Sequence, residues 1–425
     1  MREDLLSYVW QYQKFTSTIH TTKGEVVQVV SPGQLNTLAG PDFFNARVTI
    51  GGQQWAGNVE IHIKASDWYQ HRHESDNNYD NVILHVVWED DISIFRKDNT
   101  EIPTLELKQY VSQDLLDSYQ KLIQHTPTQF ISCQKDIAVF PETHWKFWEE
   151  RLYIERLEQK AQIIQDYLCE NQNDWEQVLF AMLCRSFGTK VNASFFFESA
   201  KKLDFSIIRK LRGDPIALES LFLGHFGLLQ KEQSIEPYYL NLRKEYHYLS
   251  QKFSLSPPSN QPAFFGMRPK NFPTIRLSQL AQLYSHHESL FQMLMKSDGL
   301  ESYRKVLKAK TSSFWETHFT FTKVSKKSMK PISNSFIDLL IINAIVPLKF
   351  CYERHYGKDS SYNLIEILRE LNPEKNTLIE RFGLLGLESK DAFQSQSRIQ
   401  LYTQYCTQKK CLQCAVGTYL LNQNP

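Results

Sequence analysis

The chain has 425 residues, 42% of them hydrophobic, with 48 Lys+Arg against 47 Asp+Glu. At that length two or three domains are expected and a sizeable core is readily buried. The near-balance of charge excludes a wholesale polyanion-binding surface and leaves only local basic patches. The start, MREDLLSYVW, is charged at once and lacks the apolar stretch of a signal peptide. The most apolar run, Phe336 to Leu348, contains Asp338, Asn343 and Pro347 and falls short of the ~20 residues of a spanning helix. The expectation is a cytoplasmic protein with no membrane partner. Seven cysteines at scattered spacings do not read as a disulfide framework.

In chain order, Glu3 to Phe15 spaces Leu5, Leu6, Val9, Trp10 and Tyr12 at helical intervals and predicts an amphipathic helix. GEVVQVV, Gly24 to Val30, is β-branched and stopped by Ser31-Pro32-Gly33, which predicts a short strand. Phe44 to Ile50 and Gln54 to Lys64 alternate on either side of Gly51-Gly52, the pattern of a β-hairpin. On its second arm a period of two sends Val59, Ile61 and Ile63 to one face and Glu60, His62 and Lys64 to the other. Ser66 to Tyr79 predicts a capped helix leading into NVILHVVW, Asn81 to Trp88, a continuous apolar run typical of a central strand. A small mixed α/β domain is therefore expected over residues 1–110. From 111 to 425 the period changes to 3.6: Pro141 to Asn171, Trp175 to Phe187 and Ile216 to Leu229 carry apolar residues in a 3-4 rhythm. A large all-α domain is expected there, interrupted by loops at Ser254 to Pro273 and Phe314 to Lys330. The fold class is α+β.

Gly40-Pro41-Asp42 heads the first arm of the hairpin, and Glu60-x-His62-x-Lys64 lies on the second. This pattern resembles the motif of the PD-(D/E)XK nuclease superfamily, over the first domain only. The resemblance implies a restriction-endonuclease-like fold, a Mg²⁺ or Mn²⁺ ion shared by Asp42 and Glu60, and nucleic acid as the partner. Two hard carboxylate oxygens on neighbouring strands suit such an ion. The pattern departs at position 62, where His62 replaces the lysine that handles the attacking water, and Lys64 sits one step further along the same face. His62 and Lys64 are thus the two candidates for that role. In the competing reading Asp42 stabilises a turn, and Glu60 and Lys64 form an exposed ion pair.

Three other groups bear on chemistry. His62, His71, His73 and His85, with Glu74 and Asp76, allow a His/carboxylate site for Zn²⁺, Mn²⁺ or Fe²⁺; alternatively His85 is a hydrogen-bonded core residue, and His71 and His73 are surface residues. Cys406-x4-Cys411-x2-Cys414 has zinc or iron–sulphur spacing, with Cys351 and Cys133 as candidates for a fourth ligand; the alternative is plain buried thiols. Arg268, Lys270 and Arg276 lie among Phe264, Phe265 and Phe272. With Lys326 and Lys327 they form a candidate nucleic-acid surface, against a proline-stiffened loop pinned by its Phe side chains.

The blocks GPDFFNA, GNVEIH, SDWYQH, VILHVVW, MRPKNFPTIRLSQLA and CLQCAVG resemble a widespread uncharacterised bacterial family classed as a domain of unknown function. That resemblance runs the full length and brings no activity with it. The functional expectation is a divalent-metal-dependent nuclease or related phosphodiesterase acting on nucleic acid. Against it stand a non-catalytic scaffold whose helical part holds a partner, and a His/carboxylate metal protein of other activity.

Overall fold

A computed structural model describes residues 2–36, 38–123, 129–230, 234–256, 260–358 and 361–423. The chain divides into two compact units, one made of Met1–Trp148, Leu384–Leu387 and Leu401–Pro425, the other of Glu149–Gly383 and Glu388–Gln400. The architecture is α+β: a sheet-rich region spans residues 19 to 106, and the chain beyond it is largely helical.

The first unit opens with α1 (Glu3–Gln11), whose Leu5, Leu6, Val9 and Trp10 are buried as the helical spacing predicts. Strands β1 (Ile19–His20), β2 (Val26–Ser31), β3 (Gln34–Leu35), β4 (Phe43–Ile50), β5 (Gln53–Lys64), β6 (Val82–Glu89) and β7 (Thr104–Glu106) form one sheet in the order β1-β2-β4-β5-β6-β7, with β3 on β4. The β4–β5 hairpin turns on Gly51 and Gly52, both at positive φ, a conformation that glycine adopts without the strain of a Cβ. β5 and β6 run parallel, so the chain crosses over between them, and the crossover carries α2 (Asp67–Gln70). A helix over Ser66 to Tyr79 does not form. Only one α-turn does, followed by two 3₁₀ turns, because Arg72 adopts a left-handed conformation and Asp76 caps Asn78 through its side chain.

Two hydrophobic layers flank the sheet. Val59, Ile61, Leu84 and Val86 join α1 and α3 (Gln113–Ile123) in one core, while Val82 and Val87 join Trp68, Tyr79, Ile94 and Ile102 in a smaller one. Gly57 sits where a Cβ would fall 2.6 Å from the carbonyl oxygen of Asn81 and 2.4 Å from Ile83 Cγ2. Gly57→Ala is expected to push β5 off β6 and cost about 1–3 kcal/mol, read by denaturant unfolding.

The second unit begins within α4 (Glu142–Glu170) and continues through α5 (Trp175–Phe187), α6 (Thr189–Lys201), α7 (Phe205–Leu211), α8 (Pro215–His225), α9 (Pro237–Lys252) and α10 (Pro273–Ser285). Its core is one continuous cluster from Tyr153 to Phe393. The loop expected over Phe314 to Lys330 contains a small hairpin, β8 (His318–Thr320) and β9 (Lys323–Val324). The apolar run at Phe336 lies in a longer helical stretch, Asn334–His355, which by length and composition alone is able to cross a membrane; 72% of its most apolar 18-residue window is buried inside the protein. Within the same unit Arg398 Nη2 and Glu149 Oε1 lie 2.6 Å apart, with side chains 4% and 6% exposed. Arg398→Met leaves the Glu149 carboxylate buried without its main counter-charge, and a loss of about 3–5 kcal/mol in urea unfolding is expected.

Candidate metal centre

The centre is built on the β5 face that turns away from α1. Glu60 and His62 share that face, and the parallel register sets His85 of β6 beside Glu60. All three are buried, at 5%, 2% and 0% exposure. Asp42 stands at the start of β4, next to a bulge between Phe43 and Ala46 where Asn45 takes positive φ. It is tied to β5 twice: its N–H donates to Glu60 Oε2 at 3.1 Å, and its Oδ2 accepts from the Ile61 N–H at 2.9 Å.

The crossover after β5 folds His71 and His73 over this face. His62 Nε2 lies 3.1 Å from His71 Nδ1 and 3.5 Å from Glu60 Oε1, which is also 3.4 Å from His73 Nε2. One ligand atom from each of His62, His71 and His73 falls within 4.8 Å of the other two. Donors on an ion with ligand bonds of roughly 2.1 Å stand roughly 3.0–3.5 Å apart, the scale of the His62–His71 contact and of the two Glu60 contacts. Tyr79 stacks on His73 at 3.7 Å, and the Trp68 indole meets His73 and His85 edge-on. These rings wall the site.

Burial sets the protonation of the site. Burial, reinforced by His85, His73 and His71, pushes the His62 imidazolium pKa down to about 2. Burial and His73 push that of His85 down to about 3. Both rings are therefore neutral at pH 7, with lone pairs available. His62 Nδ1 lies 2.8 Å from His85 Nε2. With the proton of that contact on His62, its Nε2 lone pair faces the cluster and His85 fixes the tautomer, the arrangement in which an outer partner orients a metal-ligating imidazole. Burial, then the Glu60 carboxylate, pushes the Asp42 carboxyl up to about 7.

The other candidates fall differently. Lys64 is exposed, and its charge acts on Asp91. Because Glu60 is buried, the reading of Glu60 and Lys64 as an exposed pair does not hold. His71, which is exposed, and His73, which is half-buried, both join the cluster, so they are not merely surface residues. Arg268, Lys270, Lys326 and Lys327 are exposed. Arg276 is not: its guanidinium lies 3.4 Å over the Phe336 ring and donates to Gln279 and Asn271, so it offers no surface to a polyanion. Cys406, Cys411 and Cys414 line one cavity together with Cys133. Cys351 belongs to the second unit, where its thiol donates to the Ala161 carbonyl.

Fold and site together define the class: an α+β protein whose N-terminal mixed sheet carries a His/carboxylate cluster with a buried base of Glu60, His62 and His85. The chain belongs to the family described as Protein of unknown function (DUF2851), whose model matches residues 3–377. No curated protein and no solved structure matches it.

Proposed function

We propose that the protein is a divalent-metal-dependent phosphodiesterase acting on nucleic acid, with Glu60, His62, His71 and His73 holding the ion and Asp42 moving the proton. The observation that carries this reading is the continuous contact from Asp42 through Glu60 to His62 and His73. A divalent ion supplies a water of lowered pKa and offsets charge building on the phosphoryl oxygens. Three imidazoles move the choice of ion away from Mg²⁺ towards Mn²⁺, Zn²⁺ or Fe²⁺.

Asp42 accepts from the Ile61 N–H and sits against Glu60 with a carboxyl that titrates near neutrality, which suits a group that exchanges a proton at pH 7. His85 orients His62 and is a positioning residue. A helix before the hairpin, and a short helix and a strand after it, are compatible with the nuclease resemblance and support this reading. Arg268, Lys270, Lys326 and Lys327 are exposed cations of the second unit that suit a phosphate backbone, and binding through such contacts is salt-sensitive.

The test incubates single- and double-stranded DNA and RNA with the protein in Mg²⁺, Mn²⁺ or Zn²⁺, beside His73→Ala. Cleavage with Mn²⁺ or Zn²⁺ that His73→Ala abolishes is expected. No cleavage of any substrate with any of the metals, or equal cleavage by the variant, overturns the reading.

A further inference from the structure

We propose that Cys133, Cys406, Cys411 and Cys414 form a second, separate centre that binds a soft metal, as zinc or as an iron–sulphur cluster, through four thiolates. The four side chains come from two segments far apart in sequence and line one cavity with Leu122, Ser132, Tyr405 and Gly417, all within the first unit. All four are thiols. A cavity lined by four cysteines is a different thing from a buried cysteine filling space: packing of small hydrophobes closes such gaps, whereas here one stays open among the four residues.

The local backbone is shaped to present the sulphurs. Cys406 ends a helical stretch, Lys409 turns the chain at positive φ, Cys411 opens a 3₁₀ turn and Cys414 stands at the start of the helix Ala415–Asn422. That helix approaches the turn so closely that a Cβ on Gly417 would fall 2.0 Å from the carbonyl oxygen of Cys411. On the opposite side the Cys133 carbonyl accepts from the N–H groups of Asp136 and Ile137, which holds its loop in place.

Burial raises the pKa of the Cys133, Cys406 and Cys411 thiols, and the other cysteines of the group add to the rise at Cys133 and Cys406. The thiols are therefore protonated unless a cation takes the place of the protons, and each sulphur that binds metal releases one proton to solvent. Four thiolates and no nitrogen or carboxylate donor select zinc or iron–sulphur chemistry over Mg²⁺ or Mn²⁺. Among the described residues, no three of these cysteines bring their sulphurs within 4.8 Å of one another, so binding one ion, on which sulphurs stand about 3.8 Å apart, requires them to draw in.

The experiment uses the full chain carrying His62→Ala and His73→Ala, so that the His/carboxylate centre contributes no metal. Purified without oxygen, this protein is expected to contain iron and acid-labile sulphide, or else stoichiometric zinc, and adding Cys133→Ser removes it while adding Cys351→Ser does not. Should Cys133→Ser fail to fold, cobalt loading of the same full chain with its cysteines intact gives an independent reading, because intense sulphur-to-metal charge-transfer absorption requires thiolate ligands. Absence of bound metal together with absence of that absorption, or metal content unchanged by a folded Cys133→Ser, overturns the proposal.

Discussion

Glu60→Gln is expected to lower metal-dependent phosphodiester cleavage by a factor on the order of 10²–10³ or more, the scale on which a single electrostatic element of such a site acts. Glutamine keeps the size of the side chain and an oxygen that still accepts from the Asp42 N–H, so the tie between β4 and β5 survives. What it removes is the negative charge that faces His62 and His73 across 3.4–3.5 Å. Both cation affinity and the electrostatic setting of Asp42 depend on that charge. His85→Gln acts one step further out, on the tautomer of His62, and a loss of about 10–100-fold in metal affinity with a smaller effect on turnover is expected. Calorimetric titration with Mn²⁺ beside steady-state cleavage separates the two variants. Unaltered cleavage by a folded Glu60→Gln protein contradicts the assignment of Glu60.

The second large effect is on stability. In the metal-free protein His62 and His85 stay neutral down to about 2 and about 3, whereas in the unfolded chain each takes up a proton near the ordinary 6.5. Between those limits the unfolded state holds two more protons than the folded one, so stability falls as the pH is lowered below 6.5. Asp42 acts in the opposite sense: folded, it keeps its proton up to about 7, while the unfolded chain loses it above 3.8, so it stabilises the fold more as the pH falls. From pH 6.5 to 4 the net is two protons less one. At about 1.4 kcal/mol per pH unit that amounts to a loss of about 3 kcal/mol, measurable by urea unfolding in the presence of a chelator. His85→Gln leaves one His against one Asp and is expected to flatten this slope. A fold that instead gains stability between pH 6.5 and 4 contradicts the burial of two neutral imidazoles.

Much of the fold was legible from period and turn chemistry. Gly51-Gly52 located the hairpin, the run Asn81 to Trp88 located a strand buried on both faces, and the 3-4 rhythm of Trp175 to Phe187 marked a helix with those bounds. Glu60 and His62 were placed on one face by strand alternation alone. His71 and His73 were harder, because their approach depends on one helical turn broken by left-handed Arg72 and on Asp76 capping, in a segment whose polar composition also fits a longer helix. A strand ending in Glu60-x-His62 with a dense His-rich stretch behind it was the usable signal. The company of Cys133 with Cys406, Cys411 and Cys414 had no local signal, since a contact between distant segments leaves no periodicity to read. Arg276 misled through its neighbours: cations among Phe residues look like a phosphate-gripping surface, yet here the guanidinium is covered by Phe336.

The central claim is that the buried face of β5 holds one divalent ion. Titration with Mn²⁺ followed by electron paramagnetic resonance tests it most directly, because Mn²⁺ prefers nitrogen and oxygen donors over the thiols of the cysteine cluster and its hydrated signal is lost on binding. One Mn²⁺ per chain is expected for the unmodified protein, and none for His62→Ala with His73→Ala. No binding by the unmodified protein, or the same stoichiometry and affinity in that variant, contradicts the account.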